Sequence, residues 1–191
     1  MILKTLRAKI AEQTLKLLRT HHWKEISIDL ICKNLKLSKK KISKNIKNKN
    51  DLLKNINQYF DDLILVEINL LEKSSSRDMI FEIIMLRFDI LSRYRSSVLK
   101  IFKVFKSNPG DFVLLIPLFI ESIEIMAKSS NINTNGIIGT MKLNGLLIIY
   151  FSTFLTWVKD KDPSLNKTMT VLDSCLDKSQ NFLKLLIQYN G

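Results

Sequence analysis

Proline and glycine are scarce: five glycines and three prolines in 191 residues, with every proline beyond residue 100. So few breakers leave room for long uninterrupted helices, and no alternating run bounded by glycine turns reads as a strand. Cysteine is nearly absent. Cys32 and Cys175 are single and far apart, which excludes a disulfide framework and a zinc ribbon and fits a reducing compartment. Histidine is reduced to His21 and His22, adjacent residues that cannot form an i, i+4 metal pair. Gly136, Gly139 and Gly145 have the wrong spacing for a phosphate loop and no strand before them. The acid pairs Asp61-Asp62 and Asp160/Asp162 read as solvated caps. No group of residues composes a catalytic site, so the expectation is a non-enzyme that needs no cofactor and no metal. The N-terminus carries Lys4, Arg7 and Lys9 in an amphipathic pattern rather than an apolar signal core, and the expected location is cytoplasmic.

Acidic residues are also missing where basic ones crowd. Between Lys33 and Lys49 lie eight lysines (33, 36, 39, 40, 41, 44, 47 and 49) and no carboxylate. Residues 1–60 hold 15 basic and 4 acidic side chains, a net +11, whereas the other 131 residues are close to neutral at +1. A general lysine bias (24 Lys against 6 Arg) would have raised both parts alike. The imbalance therefore marks a surface that attracts a polyanion.

Periodicity gives an all-α chain of about nine helices. The first runs from Leu3 to Thr20 and ends at His21-His22-Trp23, with Trp23 placed to cover the seam that follows. Ser27 caps a second helix that buries Ile28, Ile31, Cys32 and Leu35. Leu35-Lys36-Leu37 is the turn. Ser38 caps a third helix over Lys39–Asn45, whose Ile42 and the following Ile46 face inward. That register drives Lys40, Lys41, Ser43, Lys44 and Lys47 outward. A fourth helix, 49–71, connects to the rest. The break at Ser74-Ser75-Ser76 divides residues 1–50, the helix-turn-helix domain, from a second helical domain over 72–191. Further helices are expected over Arg77–Arg93, Ser97–Lys106, Val113–Lys128 and Gly136–Val158, with a turn at Asn108-Pro109-Gly110. Pro163 suits the first position of a ninth helix reaching Gln188.

Phe112–Met126 and Leu143–Val158 are apolar enough to be tested as membrane spans, but charges and length favour buried helices. The eighth helix is apolar nearly all round from Leu146 to Val158. Met169, Leu172, Leu176, Phe182, Leu183 and Leu186 on the ninth cannot alone enclose it, so a second copy of the chain or an enclosed ligand cavity is implied.

Residues 23–52, WKEISIDLICKNLKLSKKKISKNIKNKNDL, resemble the TetR family of transcriptional regulators. The matching features are Trp23, the cap Ser27, Ile31-Cys32, the turn Leu37-Ser38, the short helix Lys39–Asn45, and Lys49 to Leu52. The resemblance implies an N-terminal module that binds double-stranded DNA, a hydrophobic small-molecule effector, and a homodimer through helices 8 and 9. Ser27, Ser38, Lys39, Lys40, Lys41, Ser43, Lys44, Asn45, Lys47 and Lys49 are the implied DNA-facing residues. Five positions depart from the family pattern. Lys36 stands for the turn Gly, Lys41 for Thr, Ser43 for the phosphate-contacting Tyr, Asn45 for His and Ile46 for Phe. A left-handed backbone at Lys36 would cost on the order of 1 kcal/mol. Three later segments (77–91, 131–150 and 157–178) resemble a TetR-like branch known from alphaproteobacteria. That branch is related to the lipid-binding accessory protein of ubiquinone biosynthesis, which has this fold and does not act on DNA. A regulator is the leading expectation, and a lipid- or quinone-binding accessory protein the alternative.

Overall fold

The computed structural model describes the backbone of residues 5–107, 110, 113 and 115–189, and side chains as far as residue 180. Leu3, the turn residues Asn108 and Pro109, and the side chains of Phe182, Leu183 and Leu186 lie outside the described residues. Among the described residues there are nine α-helices and no strand. They are α1 (Leu6–Thr20), α2 (Ile28–Leu35), α3 (Lys39–Ile42), α4 (Lys49–Ile68), α5 (Ser76–Arg93), α6 (Arg95–Ser107), α7 (Ile116–Ser129), α8 (Gly136–Lys159) and α9 (Asn166–Tyr189). A 3-10 turn, Trp23–Glu25, links α1 to α2.

The chain forms two compact units. One is Met1–Leu70 with Asp89–Leu118, and the other is Leu71–Phe88 with Phe119–Gly191. The first unit thus holds more than the helix-turn-helix, since α6 packs on α1 within it.

Local chemistry sets the helix ends of the first unit. Thr5 accepts the Ala8 N–H through its hydroxyl at 3.1 Å and starts α1. Asn48 and Asp51 exchange side-chain-to-backbone bonds of 2.9 and 3.3 Å, a capping box that fixes the start of α4. The apolar stripe of α4 is buried as its spacing requires: Leu52, Leu53, Ile56, Tyr59, Phe60, Leu63 and Ile64. Against it lie Ala8, Ile10, Ala11, Leu15 and Leu18 of α1, all but removed from water. Polar ties sharpen this packing. Tyr59 donates to Glu12 at 2.6 Å and shares a hydrogen bond with Tyr94 at 2.9 Å, while Ser97 on α6 donates to the Leu15 carbonyl at 2.6 Å. Burial and these bonds push the Tyr59 phenol far above its ordinary pKa, so it stays a donor.

In the second unit, Trp157, Phe88 and Tyr150 form an aromatic core around the buried Arg87. The guanidinium lies 5.6 Å from the Tyr150 ring centroid and donates to its hydroxyl at 3.0 Å. Arg77 on α5 bridges Asp173 and Asp177, one turn apart on α9. Gly139 is required where it stands: a Cβ there would meet the Thr134 carbonyl carbon at 2.1 Å.

Three expectations need correction. The third helix stops at Ile42 rather than Asn45. Beyond it the chain continues as a turn in which both the Asn45 and the Ile46 N–H donate to the Ile42 carbonyl. Burying Ile46 and then extending at Asn48 to cap α4 leaves no room for another helical turn. The ninth helix starts at Asn166, not at Pro163. Asp162 accepts from Ser164 and Asn166, Leu165 adopts φ 53°, and Asp160 accepts both the N–H and the hydroxyl of Thr168. These side chains hold residues 160–165 as a loop and cap the helix three residues late. Finally, α8 is not an enclosed core helix. Most of its apolar stretch is not buried within this chain, and Ile137, Ile138, Met141, Ile148 and Leu155 are exposed. By length and composition it is also the one helix among the described residues that could cross a membrane.

Candidate nucleic-acid interface

Ser27 begins the site. Its hydroxyl oxygen accepts the Leu30 N–H at 3.1 Å, capping α2, while its O–H remains able to donate outward. Ile31 and Cys32 are buried, and Ile28 and Leu35 are half-buried. At the end of α2, Lys36 has φ 53° and ψ 42°. Its N–H donates to the Lys33 carbonyl, and the Leu37 N–H donates to the Cys32 carbonyl at 3.0 Å. This pair of bonds is a Schellman ending, in which the left-handed position normally goes to glycine. The sequence expectation of a left-handed lysine is met.

Ser38 precedes α3 with extended backbone, and its carbonyl takes the first bond of that turn from Lys41. Ile42 and Ile46 are at most 1% exposed and anchor the segment. With those two directed inward, Lys39, Lys40, Lys41, Lys44, Asn45 and Lys47 are exposed and Ser43 is half-buried. Lys33 and Lys36 at the end of α2 are exposed as well. Those two were visible in the lysine run, though the family pattern did not point to them.

Two of the ten implied residues have other work. Lys39 pairs with Asp29 across the turn, Nζ to Oδ1 at 2.9 Å, and the hydrogen bond to that carboxylate raises its pKa. The pair is exposed on both sides, so it fixes geometry more than it adds stability. Lys49 donates to the carbonyls of Trp23 and Lys24 at 2.9 and 2.8 Å and sits 5.7 Å from the Trp23 ring centroid. Partial burial lowers its pKa, and its chief role is to tie the start of α4 to the 3-10 turn.

The acids of this module are occupied too. Glu12 takes the Tyr59 hydroxyl, Glu25 the His22 N–H at 2.6 Å, Asp29 pairs with Lys39, and Asp51 caps α4. Among the described residues, no ion pair involves Lys33, Lys36, Lys40, Lys41, Lys44 or Lys47. Six ammonium groups are thus left facing solvent around one short helix. Such a surface can neutralise phosphates; lysines carry little information about base identity. Ser43 and Asn45 are the neutral polar groups beside them.

No protein-family model matches the chain, and no curated protein sequence does. A solved structure does. The TetR transcriptional regulator from Nitrosomonas europaea ATCC 19718 matches with a TM-score of 0.72, covering 92% of this chain and 98% of that one. Identity is 16%, so what the likeness shows is the fold: this chain has the TetR-type architecture.

Proposed function

We propose that the protein is a cytoplasmic, homodimeric transcriptional regulator of the TetR type, and not an enzyme. It binds duplex DNA through the lysine surface around α3 and answers to a hydrophobic effector. The carrying observation is the segregation of charge: six ammonium groups without ion pairs on the turn-and-helix, and every nearby carboxylate engaged within the fold. The likeness to a solved TetR transcriptional regulator points the same way.

Dimerisation is supported by α8. Ile138, Met141, Ile148 and Leu155 are exposed, and with Gly145 and Ser152 they recur at alternating spacings of three and four. That is the seam of a helix expecting another helix. A Cβ on Gly145 would meet nothing within 4 Å, so the chain's own packing does not call for a glycine there. Met169 on α9 adds an exposed apolar group. Two copies joined through α8 and α9 would present two α3 surfaces to half-sites about 34–36 Å apart.

Capture of genomic fragments by the purified protein, followed by sequencing, tests the reading. Enrichment at one or a few loci is expected. Failure to bind any duplex at about 50 mM salt, where phosphate contacts are strong, removes it. A co-purifying isoprenoid quinone seen by native mass spectrometry, combined with indifference to DNA, would establish the lipid-binding alternative.

A further inference from the structure

The first unit contains a cleft that the DNA-facing surface does not use. Its volume is about 480 Å³, within the range of small-molecule sites. One wall is His22, Trp23 and Lys24, the turn between α1 and α2. The other is Lys100, Lys103, Val104 and Ser107 of α6. The α6 residues are spaced i, i+3, i+4 and i+7, so they form a single face of that helix.

The lining has a definite chemical character. Trp23, itself only 7% exposed, and Val104 supply carbon, and the lysine stems extend it. Three lysines, a histidine and Ser107 supply the polar side-chain atoms, and no carboxylate lines the cleft. Lys100 is held in place: its ammonium donates to the carbonyls of Arg19 and His21 at 3.1 and 3.2 Å, at the C-terminal end of α1. Lys24 and Lys103 are exposed, and no ion pair involves them among the described residues. An apolar floor edged by cations suits a molecule with the opposite arrangement.

We propose that this cleft binds a small apolar carboxylate, with its hydrocarbon body against Trp23 and Val104 and its carboxylate facing Lys24 and Lys103. The ligand would touch α6 and the turn that leads directly into Ser27 and α2. It would therefore act within the unit that carries the lysine surface, separately from any effector held in the second unit. The site does not require the DNA-binding reading, and its first test uses no DNA.

Isothermal titration of the whole protein with 1-naphthoate is the experiment, with the neutral 1-naphthalenemethanol as comparison. Saturable binding of naphthoate is expected, with the alcohol weaker by at least about tenfold because it lacks the charge. The double variant Lys24→Glu/Lys103→Glu changes two exposed side chains and should fold as the parent does, checked by circular dichroism. It should weaken naphthoate binding by about tenfold or more, since attraction is replaced by repulsion. Val104→Trp, which fills the floor, should abolish it. Absence of naphthoate binding overturns the proposal, as does binding that survives both variants, which would place the ligand elsewhere. If naphthoate does not bind and Lys24→Glu/Lys103→Glu instead weakens duplex binding, the cleft belongs to a DNA backbone and the proposal is equally lost.

Discussion

Consider removing charge at Lys40, Lys41 and Lys44 by replacement with alanine. All three side chains are exposed and none is in an ion pair among the described residues, so the fold loses no contact that anchors it. The anchors of this segment are Ile42 and Ile46, which are untouched. If the dimer contacts roughly ten phosphates, the slope of log K against log salt is about −9, and affinity falls roughly 10⁵-fold between 50 and 200 mM salt. Taking three contacts from each subunit leaves about four, a slope near −3.6, and a fall of only about 150-fold over the same range. Fluorescence anisotropy with a labelled duplex, titrated at several salt concentrations, measures both slopes. The slope is the decisive quantity, because a variant that merely misfolded would lose active fraction without flattening it. An unchanged slope in the triple variant, alongside duplex binding by the parent, would show that the contacts lie on another face and would refute the reasoning.

Further outcomes are expected elsewhere in the chain. Lys36→Gly should relieve the left-handed backbone by about 1 kcal/mol and raise the melting temperature by about 2–4 °C relative to Lys36→Ala, which loses the same charge but keeps the strain. Equal melting of the two variants would contradict that account. If the proposed dimer forms through α8, Ile148→Asp together with Leu155→Asp should convert it to monomers in sedimentation runs while helical content persists, and a dimer with an unaltered sedimentation coefficient would exclude the α8 seam as the interface. For Asp160, burial pushes the carboxyl up, but the N–H and hydroxyl of Thr168 and the N–H of Asp162 outweigh it and hold the pKa below the usual range. A lowered folded value means the stabilisation is complete above the unfolded pKa of about 3.9 and is lost as the pH falls through the folded one. Asp160→Asn should therefore destabilise at neutral pH and flatten the acid side of a melting-temperature profile; a profile identical to the parent's would discount the cap.

The helical architecture was legible because long amphipathic periods and very few breakers leave little else. Ile42 and Ile46 could be assigned inward from spacing alone, and their burial follows from the same four-residue interval. Lys36 was legible through a different route, as a residue standing where a turn demands glycine, and its φ of 53° bears this out. What stayed hidden depends on partners distant in sequence. Lys49 reads as one more surface cation, yet its ammonium reaches carbonyls 25 and 26 residues earlier in the chain. The role of Asp29 as the partner of Lys39 required the turn geometry between them. Local preference favours a start of the ninth helix at Pro163, while the competing hydrogen bonds of Asp160 and Asp162 decide the outcome. The cleft beside Trp23 was out of reach, since its two walls are some eighty residues apart in sequence.

From Lys33 to Lys49 there is no arginine. An ammonium on a four-carbon stem is a compact point charge, without the planar fork that locks onto a guanine edge. On the proposed reading, such a hand would hold a duplex firmly yet pin no register, so travel along the molecule would be easy. Choice of address would then fall to the distance between the two hands of the proposed dimer and to how readily the intervening base pairs bend.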